Sequence, residues 1–403
     1  MSSLTRHRRF RLVWTGSTAE TLGLTVATVA LPLAATEAGA SAAVVALLAA
    51  AAAAPALLFG LAGGWLVDHV PPRRVILTCD AVTALTLLTV ALAAWTQALS
   101  MVHLVLAAFV VGTSALLLSL AYRTVLPSIV PSAQLPDATA RMQATEWTAR
   151  AGGPGIAGLV MQLAGAAGGA VFAAVTALSS LITMAATGPA KLAAPRERPR
   201  GILAGARLVL RDPLLRAVTI TTALAAFARA LTQSVQVVFL VREVGLTAAT
   251  AGVLLSALGL GGVLGALVTP LLTRRFGTAQ GLLVLQAGTA PFALLVPLTG
   301  SGPGIALFAV GSLAVGIGLV GSNVITAGWR LTYCQPEILG RVTAAVMTLV
   351  NGAAPLGALA GAALAASFGV RPALWAGAVG LSLAALALLL GPVRGVRDLP
   401  RRD

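Results

Sequence analysis

Charge is scarce in this chain. Of 403 residues only 10% are charged and 4% aromatic, while 58% are hydrophobic; an ordinary soluble domain carries about 25% charged residues. That shortage excludes a conventional soluble surface. Cysteine is almost missing as well: Cys79 lies in an apolar run and Cys334 in a polar break, which leaves no disulfide framework and no cysteine metal site. The three histidines, His7, His69 and His103, are too scattered for a metal cluster or a histidine proton relay. No phosphate-binding P-loop occurs, and Gly259, Gly261, Gly262 and Gly265 follow no strand, so they do not make a dinucleotide fingerprint. These absences point away from an enzyme, and no cofactor or metal is expected.

Long apolar sequence is what the chain has in abundance. A bilayer crossing takes about 20 apolar residues. Polar breaks divide the first half into runs at residues 12–36, 42–67, 75–97, 102–122, 143–166 and 168–189. The second half divides at 215–241, 247–272, 279–299, 303–327, 341–366 and 370–391. All twelve are predicted as helices, because a helix satisfies its own backbone in lipid and the short alternation of a barrel strand is missing. The expected fold is an all-α membrane protein with one six-helix bundle over residues 1–189, a linker over 190–214, and a second bundle with a tail over 215–403. Within the linker, Ile202, Leu203, Ala206, Val209 and Leu210 recur among arginines, which predicts a short amphipathic helix on the membrane surface.

Basic residues orient the spans. With both termini and the linker in the cytoplasm, 24 of the 27 lysines and arginines fall on the inner side, as the bias of inner loops toward positive charge requires. The net charge of +15 then reflects topology and attraction to anionic lipid, with no nucleic-acid partner. Glycines four apart, Gly60/Gly64, Gly261/Gly265 and Gly357/Gly361, predict close helix crossings.

The two halves repeat one another. Arg141 precedes Pro154 as Arg341 precedes Pro355, each pair on the fifth helix of its half, and Tyr122-Arg123 and Trp329-Arg330 end the two fourth helices. Parallel repeats of this kind belong to transporters whose halves rock around a site near the midplane.

Here the residues resemble a known family. GWLVDHVPPRR, Gly64 to Arg74, is similar to the loop between helices two and three of the major facilitator superfamily, with Pro71 and Pro72 where a glycine and a basic residue are usual. The equivalent turn of the second half, TRRFG from Thr273 to Gly277, holds Arg274 at the aspartate position. AYRTVLPSIVP, Ala121 to Pro131, and GGPGIAG, Gly152 to Gly158, resemble the exporters of that superfamily, as do RFRLVWTG, RDPLLRA and the GRV and PLG segments of the eleventh helix. The resemblance is to macrolide and siderophore efflux proteins. It implies two pseudo-symmetric six-helix bundles in a bacterial inner membrane, working as a monomer. It also implies that Gly64, Asp68, Arg73 or Arg74, and Arg123 serve a conformational latch, and that Gly153, Pro154 and Gly158 form a kinked surface sealing the outer side.

Charged side chains inside spans are costly and usually pair or line an aqueous path. Five qualify: Glu20, Asp80, Glu146, Arg150 and Arg229. The resemblance implies that helices one, four, seven and ten line the cavity, which favours Glu20 and Arg229. Gln233 and Gln236 continue a polar stripe from Arg229, and Asn323 on helix ten, with Asn351 on helix eleven, adds amides. Asp80 is expected to pair structurally with Arg74, and Glu146 with Arg150 at i,i+4. Glu20 follows Arg11 by nine residues, which places it about 13 Å deep. It is read either as a proton carrier or as a permanent ion-pair partner of Arg229. The implied activity is proton-coupled export of a hydrophobic or amphipathic small molecule; the alternatives are an importer or facilitator of a small solute, and a membrane sensor or scaffold that transports nothing.

Overall fold

The computed structural model describes residues 7–59, 66, 67, 69–130, 134–188, 202–389 and 395–400. Helices account for nearly all of them, and no strand occurs among the described residues. In chain order they are α1 (Arg8–Glu37), α2 (Ala42–Leu58), α3 (Pro72–Trp95), α4 (Met101–Ile129), α5 (Leu135–Ala185), α6 (Ile202–Arg211), α7 (Pro213–Val238), α8 (Ala248–Phe276), α9 (Thr278–Thr289), α10 (Ile305–Tyr333), α11 (Pro336–Phe368) and α12 (Val370–Leu389). A π turn, Phe239–Glu243, extends α7, and a 3-10 turn, Ala290–Leu295, extends α9. Among the described residues ten stretches are long and apolar enough to span a membrane. One of them, Asp137–Ala185, is 49 residues long and breaks at Gly165, so it makes two crossings. The shorter apolar α2 completes the twelve.

Hydroxyls embedded in apolar helices need partners, and they find them on their own helix. Thr18, Thr21 and Thr25 of α1 donate to the carbonyls of Trp14, Ser17 and Thr21 at 2.7–2.8 Å, so α1 carries these hydroxyls into lipid satisfied.

The chain forms two compact units, Met1–Glu197 with Leu246–Ser256, and Arg198–Gly245 with Ala257–Asp403. In the first, α1 and α3 pack on α5, and α2 and α3 on α4, around Val13, Ile76, Leu118 and Met184. In the second, α7 packs on α11 and α12, and α9 on α10, around Leu282, Ile325, Trp329 and Val342.

Small residues set the closest crossings. A Cβ on Gly261 or Gly265 of α8 would collide with the carbonyls of Leu313 or Ile317 on α10, and one on Gly357 of α11 with the carbonyl of Phe227 on α7. Gly361 meets Ser234 Oγ and the Leu231 carbonyl one turn further on. The predicted pairs 261/265 and 357/361 therefore do pack helix backbones together; Gly60 and Gly64 lie outside the described residues.

The linker contains the helix α6, and one side of it docks on the second unit. Val209 is 1% exposed and packs with Val342 and Val346 of α11, while Leu210 points outward at 54%. Asp212 then starts α7: its Oδ1 accepts from the Leu214 and Leu215 amides at 2.9 and 3.0 Å, and its Oδ2 accepts from the Tyr333 hydroxyl at 2.6 Å. The segment after α12 is tied down too. The Arg397 carbonyl accepts from the Ala279 amide at 3.1 Å, Asp398 Oδ1 from the Thr278 amide at 2.9 Å, and the Pro400 carbonyl from Trp329 Nε1 at 3.0 Å. Leu399 is buried in the second core.

Two corners repeat between the halves. Gly165, between the fifth and sixth crossings, has φ 62° and ψ −165°, and Gly369, between the eleventh and twelfth, has φ 94° and ψ 171°. Both lie in a region open essentially to glycine alone. Gly165→Ala and Gly369→Ala are each expected to cost about 1–3 kcal/mol, read as a lower unfolding temperature in detergent. Gly288→Ala, with no atom within 4 Å of the new Cβ, should not; equal behaviour of all three would contradict the backbone argument.

Candidate functional site

Polar groups gather at three places. The first is the interior of the first unit, where Glu20 of α1 and Asp80 of α3 are 3% and 0% exposed. Ser180 of α5 donates to Asp80 Oδ2 at 2.7 Å, and the Tyr122 hydroxyl of α4 lies 2.9 Å from Ser180 Oγ. Gly16 and Gly23, about a turn to either side of Glu20, pack on Ser180 and Thr176 of α5, which brings Glu20 to this group. This corrects the expected Asp80–Arg74 pair. Six residues turn a helix through about 240°, so Arg74 faces outward and is exposed while Asp80 faces the core. Neighbouring Arg73 turns to the end of α5, donating from Nη2 to the Ala185 carbonyl at 2.9 Å.

The second place is a cavity of about 100 Å³ in the second unit. Its polar lining is Thr222 and Arg229 of α7, Gln286 and Thr289 of α9, and Ser322 and Asn323 of α10; the remainder is mostly Ala, Val, Leu and Gly. Ser322 Oγ is buried there without a hydrogen-bond partner. Of the predicted stripe, Arg229 and Asn323 come together on this cavity. Gln233 is exposed and accepts from Arg229 Nη1 at 3.4 Å, whereas Gln236 is half-buried and does not line it. Sequence reasoning missed Gln286, Thr289 and Ser322. Gln286 was detectable as a lone amide in an apolar run. Thr289 was not, since its hydroxyl also bonds its own helix, to the Leu285 carbonyl at 2.6 Å, like most threonines here.

The third place is the bend of α5. Pro154 lies inside the helix, and the Gly155 amide donates to Ser256 Oγ of α8 at 2.9 Å, the side-chain compensation that lets helices bend in lipid. A Cβ on Gly158 would strike the Ala248 carbonyl, one on Gly252 the Pro154 carbonyl, and one on Gly153 the Thr25 side chain. Glu146 and Arg150 pair at 2.8 Å on an exposed face, as their spacing predicted. Gly64 and Asp68 lie outside the described residues, as does the side chain of Arg123. No group of three or more His, Cys, Asp or Glu side chains suited to a metal occurs among the described residues.

Known proteins share this architecture. The nucleoside transporter NupG superposes with a TM-score of 0.73 at 14% identity, over 95% of this chain and 98% of that one. A bacterial homologue of the iron transporter ferroportin, in its inward-facing state, gives 0.75 at 15% over 96% and 99%. A bacterial homologue of the lysosomal transporter Spinster gives 0.69 at 15% over 96% and 97%. At such identities the likeness is one of fold. No curated protein matches the sequence. The family model described as transmembrane secretion effector matches residues 2–400. With its twelve apolar helices in two bundles and a family match along nearly its whole length, the chain belongs to the transmembrane secretion effectors of the major facilitator superfamily and is a multi-pass membrane transporter.

Proposed function

We propose that this transporter exports a hydrophobic or amphipathic small molecule, such as a drug, antibiotic or secondary metabolite, in exchange for protons. The observation that carries the reading is the second-unit cavity: an apolar wall with Arg229, Asn323 and Gln286 as its polar end. Mostly apolar linings with a few placed polar groups suit amphipathic ligands, and a guanidinium beside amides favours a solute with an acceptor or acidic group at one end. Buried Glu20 supplies an acid for coupling. The energetics suffice, since one charge crossing 100 mV releases about 2.3 kcal/mol and supports a gradient of roughly fiftyfold. The basic-residue bias places both termini and the linker in the bacterial cytoplasm, with lipid, solute and protons as partners and a monomer as the working unit.

Vesicles reconstituted with the full chain test this. Under an imposed proton gradient they should move rhodamine B or carboxyfluorescein against its concentration gradient, and collapsing the gradient should stop the movement. Equilibration without accumulation would make the protein a facilitator, and no movement of any amphipathic probe would favour a sensor.

A further inference from the structure

The first unit contains a group of acids that the export cavity does not use. Glu20, Asp80, Thr83 and Ser180 are each no more than 3% exposed, and they come from three helices. One direction of hydrogen bonding is forced: the single hydroxyl proton of Ser180 goes to Asp80 Oδ2, so Tyr122 must donate to Ser180. After that chain is complete, Glu20 Oε1 and Oε2, Asp80 Oδ1 and Thr83 Oγ1 remain buried with no partner. Gly16, one turn before Glu20, packs on Ser180, and Ser180 holds Asp80, so the two acids share one buried neighbourhood, and two carboxylates offer each other no donor. Like charges so close and so buried do not both ionise.

Among the described residues no cation pairs with either acid. Tyr122 of α4 and Ser180 of α5 reach the pair through their hydrogen-bonded chain, and Cys79, next to Asp80 on α3, is buried. α2 has no titratable residue. The described charges of α5 all precede the break at Gly165: Asp137 is exposed, Arg141 lies in the first turns of the helix, and Glu146 and Arg150 pair with each other on an exposed face. On α3, Arg73 is committed to the Ala185 carbonyl and Arg74 points outward. On α4, His103 bonds Thr89.

We propose that Glu20 and Asp80 form one proton-binding site, a carboxylic acid hydrogen-bonded to a carboxylate, held in place by Tyr122 and Ser180, and that this shared proton is the one exchanged for solute. The proposal rests on the proton-coupled reading above and names its site. Thr83 offers a hydroxyl beside the pair for the charge that appears when the proton leaves. A monovalent metal ion is the competing occupant, because the same oxygens would suit sodium.

Infrared spectroscopy of the purified full chain in lipid nanodiscs decides between them. At neutral pH the chain should show a deuterium-sensitive band from one protonated carboxyl, and both Glu20→Gln and Asp80→Asn should remove it. In vesicles both substitutions should lower proton-driven accumulation of rhodamine B at least tenfold and abolish its dependence on external pH. The proposal is overturned by absence of the band in the unmodified chain, by its survival in either variant, or by its disappearance when sodium chloride replaces choline chloride. The sodium and deuterium arms need no variant, so they decide even where a substitution prevents folding. If unmodified vesicles show no proton-driven movement, the transport reading fails while the band still reports whether the proton is shared.

Discussion

A chain carrying Gly158→Leu is expected to insert poorly and to move no solute. Gly158 of α5 crosses Gly252 of α8 with backbone against backbone. A Cβ at 158 would sit 3.0 Å from the Gly252 Cα and 3.1 Å from the Ala248 carbonyl carbon, besides striking that carbonyl oxygen. These are backbone atoms, so no side-chain rotation gives way and the helices must separate. Forcing extra methylenes into a packed contact costs about 1–3 kcal/mol or more, and helix association in lipid lacks the solvent-driven term that would offset it. Separation would also pull Ser256 away from the Gly155 amide beside Pro154. Gly155→Ala should do much less, since its new Cβ meets only the Ser256 hydroxyl, at 3.2 Å. The measurements are abundance in the membrane, unfolding temperature in detergent and dye flux per molecule. Normal flux and stability in Gly158→Leu would mean that this crossing opens freely and that the kinked surface has no sealing role.

Arg229→Ala should weaken solute binding strongly while leaving the fold in place. Among the described residues Arg229 is the one charged side chain lining the second-unit cavity, with Asn323 and Gln286 as its amide neighbours. Hydrogen bonds to charged groups contribute about 1.5–3 kcal/mol, so losing them raises the half-saturating concentration of a transported acid such as carboxyfluorescein roughly 10- to 150-fold. Arg229→Lys keeps the charge but not the planar fork and should fall between. Gln233→Ala, which removes only the acceptor at 3.4 Å, should change binding by less than either. An unaltered half-saturation in Arg229→Ala at normal abundance would take Arg229 out of the binding site.

The helices were legible in the sequence because lipid imposes a length: runs of roughly 20 apolar residues have little alternative to a helix. Glycine spacing was legible for a related reason, since residues four apart share a face, and Gly261/Gly265 and Gly357/Gly361 both met backbones there. Lateral neighbours were not legible. Asp80 was assigned to Arg74 by distance along the chain, but the angle round the helix turned it inward to Ser180 and Glu20. In apolar helices the polar stripe that identifies an inner face shrinks to single residues, so Glu20 could be placed in depth but not in azimuth. The linker helix shows the same limit: its periodicity was readable, while the docking of Val209 on α11 depended on a partner far along the chain. Thr289 stayed hidden because its hydroxyl, like most in these apolar helices, bonds its own helix.

The tethered segment 396–400 bears on how this protein can be handled in the laboratory. Its hydrogen bonds to Thr278, Ala279 and Trp329 and the burial of Leu399 make it a plug for the end of the second bundle. Shortening the chain to residue 395 to aid crystallisation would unseat Leu399 and bare the indole of Trp329. An affinity handle is therefore better added behind a flexible spacer after Asp403 than substituted for these residues.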